Sequence, residues 1–101
     1  VDTYKKVEYF KNDILKFAHQ IIEANGEDVK IVFAFGMMTS EPNFADEAYI
    51  QSVEELAAEG FANAFYCRLP TDKTGGVGHP SVAGDWAAAR VLSEFIKTEV
   101  L

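Results

Sequence analysis

His79 is the residue of this chain best placed to act as a catalytic base. It follows the glycine-rich stretch Gly75-Gly76-Val77-Gly78 and precedes Pro80 and Ser81, which begin a predicted helix. Glycine permits backbone conformations that other residues avoid. Proline suits the first turn of a helix, because a backbone N–H there would have no acceptor within the helix. The sequence therefore predicts an imidazole held at a loop-to-helix junction, within reach of a reacting group.

Several motifs resemble the C-terminal part of one hydrolase family. The block that runs from His79-Pro80-Ser81 to Gly84 resembles the last conserved block of the SGNH (GDSL-type) hydrolases. Together with Gly36-Met37-Met38 and the run 65–70, it is similar to carbohydrate esterase family two over roughly residues 29–101. The resemblance implies the C-terminal part of a three-layer α/β/α, flavodoxin-like fold. It also implies an enzyme that removes acetyl or similar small acyl groups from carbohydrates.

The resemblance implies a serine nucleophile that this sequence does not contain. Family members carry that serine in an N-terminal Gly-Asp-Ser motif, and an upstream block supplies a glycine and an asparagine to the oxyanion hole. The four serines here, Ser40, Ser52, Ser81 and Ser93, stand in neither a Gly-Asp-Ser motif nor a Gly-x-Ser-x-Gly elbow. We therefore expect residues 1–101 to form one partial domain, the C-terminal half of an SGNH hydrolase, without esterase activity of its own.

By the same resemblance His79 takes the proton from the serine hydroxyl and returns it to the leaving alcohol. A second group must orient the imidazole. SGNH enzymes commonly place an Asp three positions before the histidine, where this chain has Gly76. Two alternatives stay open: the backbone carbonyl at Gly76 orients His79 in a Ser-His dyad, as the resemblance allows, or Asp72 completes a triad.

The remaining candidate residues have weaker sequence support. Met37 and Met38 are expected either to line an acyl or sugar pocket or to fill the core, since their soft side chains adapt to irregular shapes. Cys67 lies in an apolar run typical of a buried, unreactive thiol. His19 and His79 are far apart, with no third Cys or His to complete a zinc site. We expect neither a metal nor a cofactor.

Composition narrows the range of partners. The chain has 101 residues, 49% of them hydrophobic and 25% charged, which is typical of a globular domain. Its net charge of −7, with nine basic residues scattered among sixteen acidic ones, disfavours nucleic acid and anionic membranes. The expected partners are an acylated carbohydrate and either the missing N-terminal half or a second copy paired through a sheet edge. The resemblance favours a bacterial extracellular or cell-surface setting.

The hydrophobic spacing predicts an α-β-α-β-α order with two parallel strands. The predicted elements are the helix Tyr4–Asn25, the strand Val29–Phe35, the helix Ala45–Glu59, the strand Phe61–Leu69, the loop Pro70–Gly78 and the helix Ser81–Val100. The first helix is expected to bury a stripe that includes Phe10, Ile14 and Phe17. The last helix is expected to bury a stripe that includes Val82, Trp86 and Leu92. Ligands bind beyond the carboxyl ends of parallel strands, so the loops after both strands are expected to face one cleft.

A function of another class also fits the sequence. Two parallel strands leave unpaired edges and cover little of the apolar surface on three helices. Gly76 stands where the hydrolases commonly have an acid, and Asp85 stands where they often have another histidine. These departures are also expected of a non-catalytic α/β domain that uses its acidic surface or a strand edge to assemble with a partner.

Overall fold

The computed structural model describes residues 3–36, 43–72, 75 and 81–101. It has the predicted order of helices and strands. The elements are α1 (Thr3–Asn25), β1 (Ile31–Phe35), α2 (Phe44–Ala58), β2 (Ala64–Arg68) and α3 (Val82–Phe95), which a π-helical turn at Ile96–Val100 extends. The described part of the chain is therefore a mixed α/β structure with three long helices.

The two strands form one parallel pair. The N–H of Ile31 donates to the carbonyl of Asn63 at the start of the pair, and the N–H of Leu69 donates to the carbonyl of Phe35 at its end, both at 2.8 Å. The start of β1 thus pairs with the start of β2, and the end of β1 pairs with the end of β2. This is the parallel arrangement that a crossover helix permits. Both carboxyl ends therefore meet at one edge of the sheet.

Both strands begin later than their apolar runs predict. The N–H of Phe61 donates to the carbonyl of Leu56 at 2.8 Å, so this residue still belongs to the turn that ends α2. The N–H of Val29 likewise donates to Gly26, at 3.3 Å, in the turn after α1. An apolar run shows where a chain is buried, but backbone hydrogen bonds decide where the strand starts.

The chain divides into two compact units. Unit 1 comprises Val1–Phe33 and Phe44–Tyr66, and unit 2 comprises Ala34–Asn43 and Cys67–Leu101. Among the described residues, unit 1 therefore has α1, α2 and the first three residues of each strand. Unit 2 has the last two residues of each strand together with α3.

Unit 1 has a closed apolar core between its two helices and the strands. Its fully or nearly buried side chains form two clusters, one of Ala18, Ile31, Leu56, Phe61 and Ala64 and one of Val7, Ile14 and Ala48. Aromatic rings extend the second cluster. Phe10 meets Tyr49 edge-on at 5.4 Å between ring centres, and Tyr49 stacks on Tyr66 at 5.2 Å. These are the geometries that aromatic pairs prefer.

The third helix buries only part of the predicted stripe. Val82 and Trp86 are 73% and 72% exposed, whereas Ala88 is buried and Leu92 is half-buried. The inward row begins at Ser81 and Gly84, which contact the loop after β2. The hydrophobic spacing therefore identified the half-buried Leu92 but was wrong for Val82 and Trp86.

Candidate functional site

The carboxyl ends of both strands lie in unit 2, and this edge is the candidate site. Gly36 follows β1, and Leu69 to Asp72 follow β2. In parallel sheets this edge is where substrates bind, because loops and helix starts converge there. Two groups of polar contacts occupy it, one around Thr71 and one around Asp72.

Thr71 joins the segments that leave the two strands. Its hydroxyl donates to the carbonyl of Gly36 at 2.9 Å, and Arg68 Nη2 donates to Thr71 Oγ1 at 3.1 Å. The Arg68 guanidinium also lies over the ring of Phe35, 5.8 Å from its centre, a distance at which a cation and an aromatic face attract. The residues directly beyond each strand are thus held together by side chains.

The backbone conformation of Gly36 favours glycine, and the Arg68 guanidinium occupies the space beside its Cα. Its φ of +126° is a backbone conformation that other residues rarely adopt. A Cβ built at this position would also lie 2.6 Å from the Arg68 guanidinium. The glycine therefore lets the guanidinium approach the backbone at the end of β1. Sequence analysis found Gly36 through the Gly-Met-Met motif but did not identify Arg68 or Thr71.

Asp72 binds the start of α3. The backbone N–H and the hydroxyl of Ser81 both donate to Asp72 Oδ2, at 3.1 and 2.5 Å. Ser81 Oγ in turn accepts from the N–H of Gly84 at 3.0 Å, so Ser81 is the N-cap of the helix. The carboxylate thus holds the residue that begins α3. A Cβ at Gly84 would overlap this carboxylate, which explains why a glycine occupies the first turn.

The predicted site residues differ in what the structure says of them. His79, Gly76, Met37 and Met38 lie outside the described residues, so their roles stay predictions. Asp72 is described, and it contacts Ser81, two residues after His79 in the sequence. Sequence reasoning considered Asp72 only as an orienting acid for the imidazole. No sequence feature indicated that Asp72 would bind Ser81, because the two residues are nine positions apart and no local pattern connects them.

Two other residues, Cys67 and His19, carry side chains that could do chemistry. Cys67 is 2% exposed, and burial raises the pKa of its thiol, which keeps it protonated and a poor nucleophile. His19 Nε2 lies 2.7 Å from Glu59 Oε1 on the surface of unit 1, where both side chains are about half exposed. Residues 3–36, 43–72, 75 and 81–101 include no group of His, Cys, Asp and Glu suited to a metal. No helix in these ranges is long and apolar enough to cross a membrane.

Unit 1 contains an apolar groove of about 370 Å³ beside β1. Its walls include Phe10, Phe17, Ile21, Val32, Phe33 and Tyr49. Phe17 is 60% exposed, although the helical spacing predicts it on the buried face of α1. The groove lies along a strand that pairs only with β2 among the described residues. Exposed apolar surface of this kind is typical of interaction sites.

A second cleft of unit 1, about 430 Å³ in volume, is polar and lies between α1 and α2. Its buried Lys11 ammonium lies 2.7 Å from Glu8 and 3.6 Å from Glu55. The hydrogen bond with Glu8 is the main cause that raises the pKa of Lys11. The Lys11 charge is therefore neutralised within unit 1, and no buried side-chain nitrogen or oxygen of the described residues lacks a hydrogen-bond partner.

Comparison with known proteins found no matching family model, no matching curated protein and no matching solved structure.

Proposed function

We propose that this chain is the C-terminal half of an SGNH-type hydrolase and supplies the histidine of a carbohydrate esterase. The observation that supports the proposal best is the contact between Asp72 and Ser81. It joins the carboxyl end of β2 to the start of α3, and His79 lies between them in the sequence. A base near this edge is where a parallel α/β hydrolase needs one. The block from His79 to Gly84 resembles the histidine block of that family.

The reaction is acyl transfer in two steps. His79 removes the proton of the serine hydroxyl as its oxygen attacks the ester carbonyl, and the imidazolium then protonates the departing sugar oxygen. The acyl group is left on the serine. His79 next removes a proton from water, which attacks the acyl-enzyme and releases the carboxylic acid, and the proton returns to the serine. No cofactor takes part in either step.

The N-terminal half would supply the serine, most of the oxyanion hole and further sheet. Support comes from β1, which has one strand neighbour among the described residues, and from the apolar groove beside it. A parallel pair alone is a poor sheet, and added strands would complete the three-layer, flavodoxin-like arrangement. The groove would then become part of the buried core.

The imidazole needs an orienting acceptor, and we favour the backbone carbonyl at Gly76. Asp72 Oδ2 already accepts two hydrogen bonds from Ser81, which gives the carboxylate a role at the helix start. A Ser-His dyad is therefore the simpler arrangement, and a triad through Asp72 is the alternative. Met37 and Met38 follow Gly36 in the sequence and would line the acyl pocket from the loop after β1.

A fluorophosphonate probe, which reacts with an activated serine, tests the proposal on the protein made from the complete reading frame. We expect the label on a serine in a Gly-Asp-Ser motif outside these 101 residues, and we expect His79→Ala to abolish labelling while His19→Ala does not. No labelling at all, or a label on Ser40, Ser52, Ser81 or Ser93, would contradict the proposal.

A second candidate function is a non-catalytic domain that assembles with a second copy through the edge of β1. The exposed groove with Phe17 favours it, because such a surface suits a partner as well as a missing half. Sedimentation of the 101-residue chain over a range of concentrations tests this candidate. A monomer at every concentration argues against it, whereas a dimer that Phe17→Glu dissociates supports it.

A further inference from the structure

One face of α3 exposes a row of apolar and small side chains. Val82, Trp86, Ala89 and Ser93 follow one another at steps of four, three and four residues, so they lie in one row along the helix. All four are exposed, and the exposed fractions of Val82 and Trp86 are 73% and 72%. A tryptophan is rarely so exposed, because covering its large ring removes much apolar surface from water. We call these four residues the outer row.

The spacing of the outer row is that of a coiled-coil seam. Steps of four and three residues join the a and d positions of a heptad, so Trp86 and Ser93 occupy a while Val82 and Ala89 occupy d. In such a seam each side chain inserts between the side chains of a facing helix. Ala89 and Ser93 are small, and a second outer row would therefore leave room for the indole of Trp86.

The charges beside the outer row are complementary to those of a second copy. Asp85 and Arg90 are both exposed and lie on opposite flanks of the row. They are five residues apart, so they do not face each other within one helix. In the heptad they occupy g and the next e, the positions that form ion pairs between parallel helices. Asp85 of each copy would thus face Arg90 of the other copy.

The acidity of the chain lies mostly outside this helix. The chain has a net charge of −7, but the side chains of residues 82–101 sum to only −1. This part has three acidic and two basic residues: Asp85, Glu94, Glu99, Arg90 and Lys97. Two copies can therefore approach through α3 with little repulsion between like charges.

We propose that two copies of this chain pair through their outer rows, with the two α3 helices side by side and in the same direction. Trp86 is the centre of the contact, and an ion pair between Asp85 and Arg90 closes each flank. The pairing goes beyond the proposed function, because it needs neither the esterase nor the edge of β1.

Trp86 is the only tryptophan of the chain, so its fluorescence reports on this face. We expect its emission to shift to shorter wavelength as the 101-residue chain is concentrated, over the range in which sedimentation shows a monomer becoming a dimer. Trp86→Glu should abolish the dimer. Phe17→Glu is the matched control, because it makes the same change at an exposed aromatic residue of unit 1, and it should leave the dimer intact.

Charge reversal tests the flanks of the contact. Asp85→Arg and Arg90→Asp each place like charges opposite each other at both flanks, and we expect each to weaken the dimer roughly tenfold. The double variant restores opposite charges at both flanks and should restore the affinity. These residues are exposed, so circular dichroism should show each variant folded.

A disulfide tests the direction of the two helices. In the proposed arrangement Val82 lies opposite Val82 of the other copy, so Val82→Cys should form a disulfide-linked dimer under oxidation. Ala87→Cys is the control, because Ala87 is exposed but lies off the outer row. The native Cys67 is buried and should not react.

A monomer at every concentration would overturn the pairing. A dimer that Phe17→Glu dissociates and Trp86→Glu leaves intact would overturn it too, and would assign assembly to the edge of β1. A double charge variant as weak as the single variants, or no disulfide in Val82→Cys, would overturn the parallel arrangement. A monomeric product of the complete reading frame would assign the outer row to another segment of its own chain. Since no readout involves ester hydrolysis, the pairing and the proposed esterase can fail independently.

Discussion

Unit 1 and unit 2 differ in how many apolar side chains each of them buries. Most of the buried apolar side chains of the described residues belong to unit 1, among them Leu56 and Ile31, whereas unit 2 contributes Cys67, Ala88 and Val100. Side-chain hydrogen bonds occur in both units, such as that between Tyr66 and Asp46 in unit 1, but those made by Thr71 and Asp72 in unit 2 lie directly beyond the strand ends.

This difference suggests different roles for the two units, one in stability and one in positioning the candidate site. Burial is non-directional and tolerates small shifts of the packed groups, so a core such as that of unit 1 gives stability without placing any single atom accurately. Hydrogen bonds depend on distance and angle, so they fix the positions of the groups that they join. We infer that unit 1 supplies most of the free energy of folding, and that the contacts of unit 2 place the residues of the candidate site.

Leu56→Ala should have the largest effect on stability. Leu56 is fully buried in the core of unit 1, and its truncation leaves a cavity that costs about 2–5 kcal/mol of unfolding free energy. The matched variant in unit 2 is Leu92→Ala, at a half-buried position, and it should cost clearly less. Urea denaturation of both variants measures the difference. Equal losses would contradict the contrast between the units.

Gly36→Ala should rank next. It combines a backbone conformation that other residues rarely adopt with displacement of the flexible Arg68 guanidinium, and we expect a loss of about 1–3 kcal/mol. Gly60→Ala in unit 1 is the control, because Gly60 also has a positive φ, +100°, but has open space around its Cα. Thermal unfolding of the two variants isolates the contribution of the Arg68 contact. A Gly60 variant as unstable as the Gly36 variant would rule out that contribution.

Alkaline pH should weaken the two units in sequence. Burial raises the pKa of the Cys67 thiol in unit 2 and of the Tyr49 hydroxyl in unit 1. The unfolded chain therefore releases these protons first, near the ordinary values of about 8.5 and 10. Stability is complete below about pH 8.5 and falls as the pH rises from each unfolded value towards the higher folded pKa.

Urea midpoints measured between pH 7 and pH 11 test this expectation. Cys67→Ala should lose the decline that starts near pH 8.5. Tyr49→Phe should retain that decline and weaken the later one, to which Lys11 also contributes because its folded pKa is raised. A wild-type midpoint that stays constant above pH 9 would show that burial of the thiol does not affect its ionisation.

His19→Ala should have the smallest effect. The side chain pairs with Glu59 on the surface, where both partners are about half exposed, and such pairs contribute about 0–1 kcal/mol. We expect the urea midpoint at pH 6 to change little and to respond weakly to salt. A loss as large as that of Gly36→Ala would show that surface polar contacts contribute as much to unit 1 as strand-end contacts contribute to unit 2.

The sequence predicted the order of helices and strands but not the side-chain contacts at the strand ends. The spacing of apolar residues predicted the order of helices and strands, because the buried face of each element repeats with that element's period. It failed for Val82, Trp86 and Phe17, which are apolar yet exposed, since spacing shows that a face is apolar but not that a neighbour covers it. The contacts of Arg68 and Asp72 join residues through space, so no local pattern revealed them.

The central claim is that this chain provides the histidine of an esterase and depends on a second half for the serine. The most direct measurement compares hydrolysis of p-nitrophenyl acetate by the 101-residue chain and by the product of the complete reading frame, each with its His79→Ala variant. The account predicts activity only in the complete product and a loss of at least about a thousandfold in its His79→Ala variant. Activity of the 101-residue chain alone that His79→Ala abolishes would contradict it, as would a complete product without activity.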